Sequence, residues 1–441
     1  MKVKYLIFEI GSTTTLASAF DYKEGILKLI SQGRAYTTVL EGDVTLGLKN
    51  AIKNMEEKLK EKVEGEKILA TSSAAGGLKI SVHGLMYDMT VKAGKEAALG
   101  AGGIIKFITS GKLRKSDIKK IKEKDINLIL ISGGVDYGER ETSLYNSELI
   151  SNEIKDIPIL YCGNIENHED IREIFKNHTL YISENVYPTI DELNVEPTRK
   201  VIQKAFEENI TKAKGMEKIK QVVQNIMTTP GAVMESAKIL YNEIGDLLVL
   251  DVGGATTDIH SVTEGSKEFL DILTSPEPLA KRTVEGDLGV FINKENLINI
   301  LDEHETLDFS KDDFINEIKA IPITEREKKL SRILTKKAVK VAIKRHVGKV
   351  KRVFGENRYS ASGKDLSKVK YIIGTGGALT YLGKGEEILE KIKYRGKDLS
   401  MMPPVESKIL MDKDYILAAA GVISKVSLED SLSLIKESLG V

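Results

Sequence analysis

The sequence has no tryptophan and a single cysteine, Cys162, in 441 residues. One thiol excludes a disulfide framework and any cysteine-held iron–sulfur cluster within one chain, and it suits a reducing, cytoplasmic setting. Neither sign of charge is in excess. Lys+Arg and Asp+Glu both number 65, which argues against nucleic acid as the main partner, since that normally requires a basic surplus. No stretch approaches about 18 consecutive apolar residues, so no membrane span or membrane partner is expected. The first apolar run is short and broken by Glu9, unlike a signal peptide. His83, His168 and His178 show no metal-ligand spacing. Short-period repeats and low-complexity tails are missing too. The chain is too long for one simple core, and two domains of about 200 residues fit usual domain sizes.

What is present centres on Leu247 to Ile259, LLVLDVGGATTDI. An apolar run short enough for a buried strand ends in Asp251, followed by Gly253, Gly254, Thr256 and Thr257. A carboxylate at a strand's end can hold a hydrated Mg²⁺. Paired glycines let backbone N–H groups close around a phosphate, and the threonines add hydroxyl donors. Alone, this could be any strand followed by a Gly-Gly turn. The N-terminus repeats it, however. In LIFEIGSTTTLASAF, Glu9 takes the acid's place, then come Gly11 and the hydroxyls Ser12 to Thr15. Aligned on their acids, Glu9 to Thr14 and Asp251 to Thr256 are two copies of one device. A third element, YIIGTGGALT, runs a strand into Gly374, Thr375, Gly376 and Gly377. Together these resemble the actin-like ATPase superfamily. That resemblance implies an α/β fold of duplicated actin-like (ribonuclease H-like) domains around a central nucleotide cleft.

Taken in order, the chain predicts strands at Lys2 to Phe20, Ile26 to Ile30 and Gly33 to Thr38, then a helix over Asp43 to Leu59. Lys67 to Thr71 is a short strand into the small-residue turn Ser72 to Gly77, and Thr90 to Lys106 reads as helical. Ile126 to Ser132 is a central strand followed by a glycine loop carrying Asp136. That acid could face a γ-phosphate or simply form the turn. Pro158 to Tyr161 and Thr179 to Ile182 are short strands, and Cys162 between them reads as a buried small hydrophobe. The small residues after Met227 and in Asp414 to Ser424 predict two helices that cross closely. The expected division is 1–235 and 236–441, with an inserted segment in the first half and an inserted helical subdomain at about 291–368 in the second. Within the latter, Arg326 to Arg352 carries twelve Lys/Arg residues on an amphipathic helix. Its basic face is either a solvated surface or, through Lys344, Arg345 and His346, the adenine side of the cleft.

A narrower resemblance covers nearly the whole chain. EIGSTTT, SSAAGGL, SGGVD, TPGAV, DVGGATTDIHSV, RTVEGDLG, RHVG and GTGGALT are similar to the glutamate mutase accessory family called MutL or GlmL, which is distinct from the mismatch-repair protein sharing the first name. The resemblance implies an ATP-driven reactivating chaperone that helps exchange damaged cobalamin on an adenosylcobalamin-dependent aminomutase of the glutamate mutase or ornithine aminomutase type. It implies ATP and Mg²⁺ as cofactors and aminomutase subunits as partners, and it leaves a homodimer open. Carried over residue by residue, Gly11, Ser12, Thr13, Thr14, Gly253, Gly254, Ala255 and Thr256 bind phosphate. Glu9 and Asp251 stand near Mg²⁺ through water, and Gly374, Thr375, Gly376 and Gly377 lie near ribose and adenine. Asp136 is the candidate for orienting the attacking water. Glu9 replaces the aspartate usual in the superfamily, which bears on hydrolysis more than on binding. The alternative is a small-molecule kinase of the same fold, with Asp136 as base.

Overall fold

A computed structural model describes residues 1–38, 43–73, 78–190, 192–209, 215–306, 309–352, 358–396 and 399–441. The strands, in chain order, begin with β1 (Lys2–Ile10), β2 (Thr14–Lys23), β3 (Ile26–Tyr36) and β4 (Glu64–Ser72). Next come β5 (Lys79–Gly84), β6 (Ile104–Ser110), β7 (Leu128–Ile131), β8 (Ile159–Tyr161) and β9 (Leu180–Ile182). They are followed by β10 (Asn225–Thr228), β11 (Leu247–Val252), β12 (Thr257–Val262) and β13 (Ala280–Glu285). The last four are β14 (Lys349–Arg352), β15 (Tyr359–Ser362), β16 (Tyr371–Thr375) and β17 (Lys408–Met411).

Two of the sheets repeat one topology. The first has the order β10-β4-β1-β2-β3 and the second β13-β12-β11-β16-β17. In each, a hairpin's first strand is central. It pairs antiparallel with the strand that follows it and parallel with a later one, β1 with β2 and β4, β11 with β12 and β16. This duplicated order is that of the actin-like ATPase fold. A third sheet, β6-β5-β7-β8-β9, is parallel throughout, and β14 and β15 make an antiparallel ribbon.

The chain forms two compact units. The first comprises Met1–Ala75, Ile210–Leu273 and Arg282–Val441; the second comprises Gly76–Asn209 and Thr274–Lys281. Both duplicated sheets belong to the first unit, apart from Ala280 and Lys281 at the start of β13, and the parallel sheet belongs to the second. Residue 235 falls inside the Thr229–Ile244 helix of the first unit.

Local chemistry explains the elements that position the cleft. Asp43 caps the Val44–Leu59 helix, accepting the Thr45 N–H at 2.8 Å. Thr228 caps the Thr229–Ile244 helix, with Pro230 in its first turn, where a missing N–H costs nothing. That helix crosses the Leu417–Ile423 helix so closely that a Cβ on Gly421 would overlap the Ala232 carbonyl, as the small-residue patterns of both predict. The expected helix over Thr90 to Lys106 is shorter. It runs Lys92–Gly100 and stops at Gly102, whose φ is +89°. Residues from Ile104 form β6 instead, because a left-handed glycine ends the helix and a β-branched run follows.

The Glu325–His346 helix is capped by a Thr324/Glu327 capping box. It buries Leu330, Leu334, Ala338 and Ala342 in one core with Leu248, Leu250 and Ile372 of the second sheet. At about 1.5–3 kcal/mol per buried large aliphatic side chain, this apolar face fixes the helix more firmly than its exposed cations could. Residues 74–77 of the expected small-residue turn lie outside the described residues.

Candidate functional site

The two acid–glycine–hydroxyl motifs fold into equivalent hairpins. In the first, Glu9 pairs with Leu16 and Ile10 with Thr15, and the Gly11 N–H donates to the Thr14 carbonyl at 3.0 Å. In the second, Asp251 pairs with Asp258 and Val252 with Thr257, and the Gly253 N–H donates to the Thr256 carbonyl at 2.9 Å. Matching registers and matching turn bonds make the repeat structural as well as sequential. The hairpin tips approach one another. A Cβ added to Gly254 would lie 2.7 Å from Thr13 Oγ1, so glycine is required there by close approach rather than by backbone angle.

Both tips line one cavity, whose walls enclose about 960 Å³ with open solvent included. Every lining residue belongs to the first unit. The lining includes the strand residues Glu9, Asp251 and Asp258 and the turn residues Gly11 to Thr14 and Gly253 to Thr256. Thr229 and Pro230 open the helix on one flank. Phe291, Pro322 and Leu382 add apolar surface to the lining, and Arg34, Tyr381 and Tyr415 add polar and aromatic surface. A lining of this mixed character suits a ligand with both an apolar part and a polyanionic part.

Electrostatics single out the acids. Burial, only partly offset by a hydrogen bond from Tyr415, pushes the Glu9 carboxyl up to about 7. Burial also pushes Asp251 well above the ordinary carboxylate range, with further contributions from the charges of Asp258, Glu9 and Asp412. Two carboxyls so disfavoured as anions form a place where a divalent cation would be welcome. Mg²⁺ is ordinarily held by one or two carboxylates plus phosphate oxygens, and Glu9 with Asp251 fits that pattern. The side-chain oxygens of Thr229 and Ser331, both buried and both lining the cavity, have no hydrogen-bond partner among the described residues. They are groups that a polar ligand would satisfy.

The remaining motifs of the second half are tied to this hairpin. Arg282 grips Asp258, with Nη2 2.5 Å from Oδ1, and the other carboxylate oxygen accepts from Thr256 Oγ1 at 2.9 Å. His346 bridges Thr283 Oγ1 at 2.9 Å and Ser261 Oγ at 3.0 Å. Arg345 Nη1 donates to Glu285 and Asp287, both at 2.7 Å, and holds the Asp287 carboxyl below its usual value. The backbone N–H groups of Phe291 and Ile292 donate to the Gly254 carbonyl at 2.9 and 2.7 Å. DVGGATTDIHSV, RTVEGDLG and RHVG are therefore one interlocked network around the second hairpin.

A family model described as "MutL protein" matches residues 5–439. The chain belongs to the MutL family. It is 35% identical over 464 aligned positions to "Protein MutL" of Clostridium tetanomorphum, covering 99% of each chain. Among solved structures, it is similar to diol dehydratase-reactivating factor in nucleotide-free form, with TM-score 0.37 and 10% identity over 96% of this chain and 99% of the other. It is also similar to component A of Acidaminococcus fermentans (R)-2-hydroxyglutaryl-CoA dehydratase, with TM-score 0.32 and 9% identity over 99% of each. Those likenesses are remote, and the fold stands on the strand orders. Among the described residues, no helix is long and apolar enough to cross a membrane.

In this MutL-family chain, Glu9, Gly11 to Thr14, Asp251, Gly253 to Thr256 and Gly377 come together at the cavity. Gly374, Thr375 and Gly376 support it from behind. The Thr375 hydroxyl donates to Asp412 at 2.7 Å, and a Cβ on Gly376 would run into Asp251 Oδ1. Lys344 and Arg345 are exposed and do not line the cavity; Arg345 is held by the two acids of the glycine loop. Asp136 lies in the second unit, where its Oδ1 accepts from the Ile165 N–H and Asn185 Nδ2, both at 2.9 Å. Sequence reasoning missed Arg34, Tyr381, Tyr415, Ser331 and the supporting Asp412. The one local signal was an acid just before the alanine-rich helix: Asp412 accepts from the N–H groups of Ile416 and Leu417.

Proposed function

We propose that this MutL-family chain binds ATP with Mg²⁺ in the cavity and uses hydrolysis to help replace damaged cobalamin on an adenosylcobalamin-dependent aminomutase. The observation that carries the nucleotide reading is the pair of equivalent hairpins, each ending a strand in an acid and each presenting glycine and hydroxyl groups to one cavity. Glu9 and Asp251 would hold the metal through water, which would neutralise phosphate charge and fix the orientation of the terminal phosphate. The hairpin turns, with Thr13, Thr14 and Thr256, would take the phosphate oxygens. The apolar surface of Phe291, Pro322 and Leu382 would receive the base.

The aminomutase reading rests on family membership together with the motifs DVGGATTDIHSV and RTVEGDLG. Cobalamin enzymes bury their cofactor, so exchange requires subunits to be prised apart. A nucleotide-driven protein can do this if its nucleotide states differ in affinity for the partner.

The test is ATP turnover, measured alone and with glutamate mutase or ornithine aminomutase inactivated by a cobalamin lacking the adenosyl group. A basal rate that rises on adding the inactive mutase, together with recovered mutase activity, supports the proposal. A rate that depends instead on a sugar or carboxylate acceptor would replace it with a kinase.

A further inference from the structure

The two hairpins match in turn geometry but differ in what holds their acids. Opposite Asp251, in register across β11 and β12, stands Asp258, itself clamped by Arg282. Opposite Glu9, at the equivalent position across β1 and β2, stands Leu16, which is buried and has no polar side-chain atom. The first acid, buried at 8% exposure, thus has no side-chain hydrogen-bond partner in its own hairpin among the described residues. Support comes from the far end of the chain. Tyr415 donates its hydroxyl to Glu9 Oε1 at 3.0 Å, and it is the single hydrogen-bond partner of that side chain among the described residues.

Tyr415 is itself tightly placed. Its backbone adopts φ +52°, a left-handed conformation unusual for an aromatic residue. The preceding turn is fixed by Asp412, which accepts from the Ile416 and Leu417 N–H groups at 3.0 Å and from the Ser438 and Thr375 hydroxyls at 2.7 Å. The Tyr415 ring stands edge-on to Tyr381 at 5.6 Å and 89°. Tyr381 in turn lies beneath the Arg34 guanidinium, 4.8 Å from its ring centre, and donates to Gln32 Oε1 at 2.5 Å. A side chain whose backbone turn is pinned by Asp412 and whose ring packs on an anchored Tyr381, with its one polar atom aimed at one carboxylate oxygen, is built to fix that carboxylate's orientation.

We infer that Tyr415 is the positioning residue of the first acid: it occupies Glu9 Oε1 and so presents Oε2 to the metal or its bound water. This role rests on the reading of the cavity as a magnesium-nucleotide site. It explains how a glutamate, with one more rotatable bond than aspartate, can serve at a strand end where geometry must be tight. The extra freedom is removed by a hydrogen bond from outside the hairpin.

The experiment is calorimetric titration of ATP with Mg²⁺ present and with EDTA, for the parent, Tyr415→Phe, Glu9→Gln and the double variant. Tyr415→Phe removes one hydroxyl and keeps the ring. It should weaken Mg²⁺-dependent ATP binding about tenfold, the scale of one hydrogen bond to a charged group, and leave metal-free binding within about twofold. In the Glu9→Gln background it should cause no further loss. An unchanged Mg²⁺ dependence in Tyr415→Phe would overturn the assignment. So would an equal loss with and without metal, or losses that multiply in the double variant, either of which marks a merely structural tyrosine. A parent that binds no magnesium nucleotide overturns the reading of the cavity and this assignment with it. A parent that binds normally beside an indifferent Tyr415→Phe overturns the assignment alone.

Discussion

Arg282 lies buried against Asp258, with both Nη2 and Nε directed at the same carboxylate oxygen, 2.5 and 3.1 Å away. The guanidinium is 1% exposed, and the carboxylate it grips faces Asp251 across the hairpin. Its charge also opposes the rise of the Asp251 carboxyl. The pair thus stabilises the second hairpin and moderates the acid beside the cavity.

Arg282→Met should therefore lower folding stability by about 3–5 kcal/mol, because Asp258 would be left buried with no counter-charge. Urea unfolding checks this. A midpoint within experimental error of the parent's would show that water or another group replaces the guanidinium.

Gly254 and Thr13 predict a paired result. Gly254→Ala places a methyl 2.7 Å from Thr13 Oγ1, closer than packed atoms normally stand. It should weaken magnesium-ATP binding roughly tenfold by forcing the tips apart, a strain of about 1–2 kcal/mol. The same strain should lower the melting temperature of the nucleotide-free protein. Thr13→Ala introduced alongside should restore that melting temperature while leaving ATP binding weak, since the Thr13 hydroxyl is itself a proposed phosphate contact. If the second change brings no recovery, the close approach is not what demands glycine.

Asp251→Asn should move binding and stability in opposite directions. Burial and neighbouring charge hold this carboxyl well above its ordinary range, so neutralising it should raise the melting temperature of the nucleotide-free protein at pH 8. Magnesium-ATP affinity should fall roughly a hundredfold, the scale of losing about 3 kcal/mol of charge-assisted contact. A variant that loses both points to a structural acid.

Glu9 gives the pH dependence. Its carboxyl stands at about 7 in the fold against an ordinary 4.5, so the folded state binds this proton more tightly than the unfolded one. The associated stability is fully present below pH 4.5 and is lost as pH rises through 7, amounting to at most about 3 kcal/mol. Glu9→Gln should therefore melt higher than the parent at pH 8, with the advantage vanishing at pH 4.5. Scanning calorimetry at both values decides it, and a pH-independent difference would show that Glu9 does not titrate in this range.

The hairpins were legible because their chemistry is local: an acid, a glycine and hydroxyls within six positions define the turn wherever it lies. The helix crossing was legible for a similar reason, since small residues at Ala232 and Gly421 announce close approach without naming a partner. Arg34, Tyr381 and Tyr415 were not, because no short-range pattern separates a cavity-lining tyrosine from any other. The basic run through Lys344 and Arg345 resembled both a solvated face and a ligand wall. What decides Arg345 is its pairing with Glu285 and Asp287, 60 and 58 residues away. The parallel sheet of the second unit was legible in part: its short strands Ile159–Tyr161 and Leu180–Ile182 were expected, but Ile104–Ser110 began inside an expected helix, and strand order is written nowhere in a linear pattern.

The contacts of the first sheet impose a timetable on biosynthesis. Tyr5 and Tyr22 both donate to Asp430, at 2.6 and 2.7 Å, across sequence separations of 425 and 408 residues. Glu9 waits on Tyr415 in the same way, 406 residues later. The strands made earliest therefore leave the ribosome without the helix that covers them. At about 5–20 residues per second, a nascent chain spends some tens of seconds with an apolar sheet open to misassociation before Leu428–Leu439 is made. Slowing translation late in the message should lower the yield of folded protein more than slowing it early.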